Sequence, residues 1–140
     1  MITLQRRRDW RTHLHLYLSA VKAEPLAYGT HDCGLGLAAA AIEAMTGVDI
    51  AAPWRGRYAT ASGALKMLRE DGFTGLEDLG RSLLPAVHPS MGQLGDIALI
   101  DTGDTLGAFG LVIGERILVL TETGTGTVDL LSAKLVFRVG

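Results

Sequence analysis

The stretch Tyr28-Gly29-Thr30-His31-Asp32-Cys33-Gly34-Leu35-Gly36 holds the only cysteine of the chain, and its reading sets the reading of the rest. Tyr28-Gly29-Thr30 suits a turn. Asp32 then reads as a helix N-cap, because its carboxylate can accept the first free N–H groups of a helix. A helix over Cys33 to Met45 follows, with Gly47 as its C-terminal stop. Leu35, Leu37, Ala38 to Ala41, Ile42 and Met45 leave that helix almost no polar face, so it belongs in the core.

Upstream, Trp10, Leu14, Tyr17, Leu18 and Val21 recur at helical spacing and predict an amphipathic helix over Asp9 to Ala23, stopped near Pro25. Downstream, short helices are expected from Ser62 to before Gly72, with Leu65 and Leu68 inward, and over Leu76 to Leu84, ended by Pro85. Pro89 to Gly95 reads as loop. From Asp96 the period changes. Asp96–Asp101, Leu106–Ile113, Arg116–Thr121, Thr127–Leu131 and Lys134–Val139 read as strands. Turn signals at Thr102-Gly103-Asp104, Gly114-Glu115 and Gly124-Thr125-Gly126 separate them. Connections this short join antiparallel neighbours. N-terminal helices, with a core helix starting at Cys33, followed by a small antiparallel sheet make the α+β class.

The 140 residues are the length of one domain, 1–140. Hydrophobic residues at 48% and charged residues at 20% exclude the disordered class. A net charge of −2 does not fit a nucleic-acid partner, which calls for a basic face. Arg6, Arg7 and Arg8 read as a solvated flank or a contact to an acidic partner surface. No apolar segment follows them, so no signal peptide is expected. The longest apolar run, Leu35 to Ile42, is far too short for a membrane span. Glycine, 18 of 140 residues, implies many tight turns or close backbone approaches.

Cys33 is the one candidate for chemistry. A helix N-terminus offers unpaired N–H groups and partial positive charge, which favour a thiolate. The same N–H groups can hold an oxyanion. The plainer reading is a buried core cysteine. Gly34-Leu35-Gly36-Leu37-Ala38-Ala39 fits a loose dinucleotide fingerprint, but Pro25 and Gly29 spoil the strand that motif needs in front of it. His31 and His88 are the other histidines considered as a base. His31 is expected to cap or solvate its loop, and His88 to sit in a flexible segment. No second cysteine or paired histidine supports a metal site with Cys33. No cofactor is implied. Trp54, Arg55, Arg57 and Tyr58 form an aromatic-basic cluster, read either as a loop pinned to the core or as an interface patch.

Asp32-Cys33 opening a helix, then Met91-Gly92-Gln93-Leu94-Gly95-Asp96-Ile97-Ala98-Leu99, then a small sheet, resembles the NlpC-type papain-like cysteine peptidases. More narrowly, four blocks are similar to a group of proteins from tailed phages and prophages whose genes often lie among tail genes. The blocks are Tyr28-Gly29-x-x-Asp32-Cys33, Glu43-Ala44-Met45-Thr46-Gly47-Val48-Asp49, Arg55-Gly56-Arg57-Tyr58 and Gly95-Asp96. The resemblance implies Cys33 as nucleophile and a histidine heading the second strand. Here that strand reads Ala108-Phe109-Gly110-Leu111-Val112-Ile113-Gly114, and Ala108 stands where the base belongs. A thiol without a base or cationic neighbour stays mostly protonated at neutral pH.

The resemblance therefore implies a tail-tip or hub-associated structural or assembly protein with a degenerate catalytic centre. Its expected partners are other tail proteins, and its expected location is the virion after synthesis in the host cytoplasm. The alternative is an active cysteine peptidase or amidase that cleaves peptidoglycan during entry.

Overall fold

The stripe on the first helix explains how the N-terminal half packs. In the computed structural model, which describes residues 1–22, 24, 26–121 and 124–140, α1 spans Trp10–Val21. Leu14 and Val21 are buried, and Trp10, Tyr17 and Leu18 pack half-buried against the core. The expected helix end at Ala23 and the stop at Pro25 lie outside the described residues. α2 (Leu35–Thr46) buries Leu35, Leu37, Ala38, Ala39, Ala41, Ile42 and Met45, as a helix apolar on nearly all sides must. It ends at Gly47, whose φ of +78° lets its N–H turn back onto the Glu43 carbonyl.

α3 (Ala61–Glu70) is capped by Thr60, whose hydroxyl accepts from the Gly63 N–H at 3.0 Å. Ala64, Met67 and Leu68 face inward, while Leu65 is half-buried. α4 (Leu76–Leu83) closes the helical layer. Among the described residues no helix is long and apolar enough to cross a membrane.

The sheet has strands β1 (Ala86–Val87), β2 (Ile97–Ile100), β3 (Ala108–Val112), β4 (Arg116–Thr121), β5 (Gly124–Asp129) and β6 (Leu135–Phe137). Their order is β1-β6-β2-β3-β4-β5, antiparallel throughout. Helices first and an antiparallel sheet second is the α+β arrangement expected. Phe109, Leu111, Leu135 and Phe137 join the core under the helices. Ala98, Val112, Ile117 and Val136 form a smaller core on the other face.

In the sheet, three segments differ in kind from the sequence reading. Gly124 and Gly126, read as turn residues, belong to β5 and pair with Thr121 and Val119. Leu130 and Leu131, read as strand, open a 3-10 turn (Leu130–Ser132). Ala86 and Val87, in a segment read as flexible, form β1 by pairing with Phe137 and Val136.

Arg6 was expected in a solvated flank or at a contact to an acidic partner surface. It is instead an internal clamp. Its Nε donates to the Val139 carbonyl at 2.7 Å, Nη1 to the Leu94 carbonyl at 2.7 Å and Nη2 to Asp96 Oδ1 at 3.1 Å. Asp96 is 1% exposed and also accepts from the Val139 and Gln93 N–H groups. The Trp10 ring lies 4.3 Å from the guanidinium carbon. One ion pair thus fastens the N-terminal arm, the start of β2 and the end of the chain.

Two outcomes follow. Arg6→Met leaves a buried carboxylate without its cation and is expected to cost about 2–4 kcal/mol in urea unfolding. A cost under about 0.5 kcal/mol, the range of ordinary surface changes, would remove the clamp. In α4, helix propensity predicts that Gly80→Ala stabilises by about 1 kcal/mol. A Cβ there would run into the fully buried Phe137 ring. Overpacking decides the sign, so Gly80→Ala should lower the urea midpoint, by about 1–3 kcal/mol in stability.

Candidate functional site

The turn that carries Cys33 is built around the side chain before it. Asp32 is 1% exposed. Its Oδ1 accepts from the Gly34 N–H at 2.9 Å and the Gly36 N–H at 3.1 Å. Its Oδ2 accepts from the Gly29 N–H at 2.9 Å and the Tyr58 hydroxyl at 2.7 Å. Asp32 accepts N–H groups at the start of the helix as expected, but it is not the N-cap: the regular helix opens at Leu35, two residues later than expected, and Gly34 holds the N-cap position. The reason is local. Gly34 has φ −92° and ψ −111°, outside the helical region, because its N–H turns back to Asp32.

Cys33 sits half-buried in that turn. Burial pushes its thiol above the ordinary range, and the Asp32 charge pushes it further the same way. Its own backbone N–H opposes this, and Asp104 adds a smaller upward push. The thiol lines an apolar pocket with Tyr28, Tyr58, Met67, Leu76 and Leu106, whose cavity volume of about 20 Å³ has room for one water. Among the described residues no histidine, lysine or arginine lines it.

The sheet meets this turn at one point. β4 pairs with β3 only at Leu111 and Val112. Before that, the Phe109 N–H donates to the Cys33 carbonyl at 2.6 Å. Ala108, the residue before Phe109, is thus one position along the chain from that bond, and it is not among the residues that line the pocket of Cys33.

The histidines lie elsewhere. His31 was expected in solvent, but it is 6% exposed. Its backbone exchanges hydrogen bonds with Ala27 at 2.7 and 2.8 Å. Its Nδ1 is 3.7 Å from Glu24 Oε2, and its Nε2 has no partner among the described residues. Gly36 makes this burial possible: a Cβ there would stand 2.8 Å from the Thr30 carbonyl and 2.9 Å from the His31 Cα. His88 is exposed and caps a 3-10 turn (Pro89–Met91) by accepting from the Ser90 N–H at 3.1 Å. It follows β1, with β6 and β2 between it and β3. His13 bonds Asp9 on the surface, and His15 is exposed.

Of the aromatic-basic cluster, the pinned-loop reading describes the contacts. Trp54 Nε1 donates to Asp71 Oδ2 at 2.8 Å, and Arg57 reaches both Asp71 oxygens at 3.1 and 3.2 Å. Arg55 pairs with Asp49 at 2.9 and 3.1 Å. Tyr58 turns inward to Asp32. The sequence reading gave it no part in the Cys33 turn, because the bond spans 26 positions.

A family model described as a domain of unknown function, DUF6950, matches residues 5–139. The chain belongs to the DUF6950 family. The match covers the Arg6 clamp, the Asp32-Cys33 turn and the whole sheet. No protein with a curated description and no solved structure matches the chain.

The buried hydroxyl and thiol set an alkaline limit on this DUF6950 fold. Burial and the Asp32 bond raise Tyr58 above its ordinary value, as burial raises Cys33. On raising the pH, the unfolded chain therefore releases these protons first, and stability falls. For Tyr58 the fall begins near the ordinary tyrosine value of about 10. Tyr58→Phe should lower stability at neutral pH, by about 1 kcal/mol, and make the loss above that pH shallower. An unchanged slope in urea unfolding across that range would separate Tyr58 from the Asp32 site.

Proposed function

We propose that this chain is a structural or assembly protein of a phage tail tip or hub. In this reading it keeps an NlpC-like, papain-type fold whose catalytic centre has degenerated. One observation carries the loss of activity: the only thiol lies beside a buried carboxylate, in an apolar pocket that no basic side chain among the described residues lines. A cysteine nucleophile needs a partner that makes or keeps the thiolate. Here the neighbouring charge works the other way. The tail assignment rests on the four sequence blocks around Cys33, Glu43, Arg55 and Gly95. The active peptidoglycan hydrolase draws support only from the Cys33 turn itself.

Alkylation of Cys33 against pH, read by mass spectrometry, tests the first half. The rate should climb only above the ordinary thiol range of about 8.5. A fast plateau extending below pH 7 would overturn the degenerate-site reading, as would release of peptides from purified peptidoglycan that Cys33→Ala abolishes. The alignment has its own test. Placing the base by Ala108→His should raise the alkylation rate at pH 7 by about tenfold for each unit by which the thiol pKa falls. An unchanged rate would remove residue 108 from the position that the resemblance gives it. For the assembly half, the protein should be present in purified mature particles, and its absence from them would end that reading.

A further inference from the structure

The sheet face turned away from the helices carries the smaller core, and two touching 3-10 turns, Pro89–Met91 and Leu130–Ser132, lie over it. Each presents one large apolar side chain to solvent: Met91 is 56% exposed and Leu131 71%. Arg138 stands beside them, one residue past β6. Its N–H bonds the Pro85 carbonyl at 2.8 Å, and its Nη2 reaches the Met91 carbonyl at 3.4 Å. The same side chain lines a groove walled by Ile2, Leu4, Leu84 and Pro85.

Two arginines of the chain are partly buried, Arg6 and Arg138. They contrast sharply. Arg6 is answered by two carbonyls and a carboxylate. Among the described residues the Arg138 side chain has one long bond, its Nε is buried without a partner, and no carboxylate lies within 4.0 Å of it. A guanidinium offers five donors and is costly to desolvate without acceptors. A carboxylate satisfies it best, through two parallel bonds. Arginine and methionine are enriched in the cores of protein interfaces, and arginine among their hot spots.

We propose that Arg138, Met91 and Leu131 form a docking point for a partner-protein segment that carries a carboxylate flanked by apolar side chains. The carboxylate meets the unanswered guanidinium, and its flanks cover Met91 and Leu131. A second copy docked with its two-fold axis at Arg138 would set one guanidinium against the other. This deepens the assembly reading by naming the surface and the partner chemistry it needs.

The test uses the isolated full chain and two synthetic peptides, one with a glutamate flanked by leucines and a twin with glutamine in its place. Nuclear magnetic resonance follows the Arg138 Nε–H and the Met91 and Leu131 methyl signals. The glutamate peptide should shift all three at millimolar concentration or below. It should bind about tenfold more tightly than its twin, as a difference of about 1.4 kcal/mol requires. Arg138→Met should erase that discrimination. Leu131→Asp, at a well-exposed position, should weaken both peptides and leave signals elsewhere unchanged. Equal affinity of the twins, no shift at millimolar peptide, or shifts confined to other surfaces would overturn the proposal. So would signals that move with protein concentration alone, which would give the face to a second copy. Presence in mature particles is measured separately, so failure of the docking surface and failure of the assembly reading are told apart.

Discussion

The Asp32 carboxylate takes hydrogen bonds from three backbone N–H groups and one tyrosine hydroxyl, at 1% exposure and with no cation beside it. A carboxylate in that position needs every donor it has, since an unmatched buried charge costs several kcal/mol. The donors come from three places in the chain. Gly29 brings the turn before the helix, Gly34 and Gly36 bring the start of α2, and Tyr58 brings the loop before α3. The Cys33 carbonyl, inside this knot, then takes up the Phe109 N–H and joins it to the sheet. Helix layer and sheet meet there through hydrogen bonds as well as through apolar packing.

The chain holds a second buried carboxylate, and the two are stabilised differently. Asp96 has a guanidinium from Arg6 together with two N–H groups. Asp32 has dipoles alone. The difference shapes what each neighbourhood can do. Around Asp96 the charges cancel and the result is a clamp. Around Asp32 the negative charge stays, and the adjacent thiol feels it.

Legibility in the sequence followed the range of the interactions. α2 could be read because its burial is written in its own composition and its stop in Gly47. β4 could be read to the residue, since its strand pattern lies between clear turn signals. The role of Asp32 as acceptor at the start of the helix could also be read, because it acts within four positions. Arg6 could not. In a run of three arginines it resembles solvent-facing charge, and its partners are 88 to 133 positions away. His31 was misread for a related reason: its burial depends on how closely its backbone approaches Gly36. β1 has two residues, too few for any period to show, and exists because β6 offers an edge.

The same distinction bears on Cys33. A helix N-terminus stabilises an anion by about 0.3–1 kcal/mol at exposed sites and by up to about 2 kcal/mol in partly buried ones. Two like charges about 4–8 Å apart repel by about 2–4 kcal/mol at an effective dielectric of 20. The terminus that favours a thiolate in the sequence reading is already occupied, because the Gly34 and Gly36 N–H groups point at Asp32. At Cys33 burial and the repulsion outweigh the one opposing group, its own backbone N–H. A cationic partner beside the thiol would reverse that balance. The Asp32-Cys33 turn therefore acts in this fold as a hydrogen-bonded junction, with Asp32 gathering the start of α2 and the Cys33 carbonyl holding the sheet.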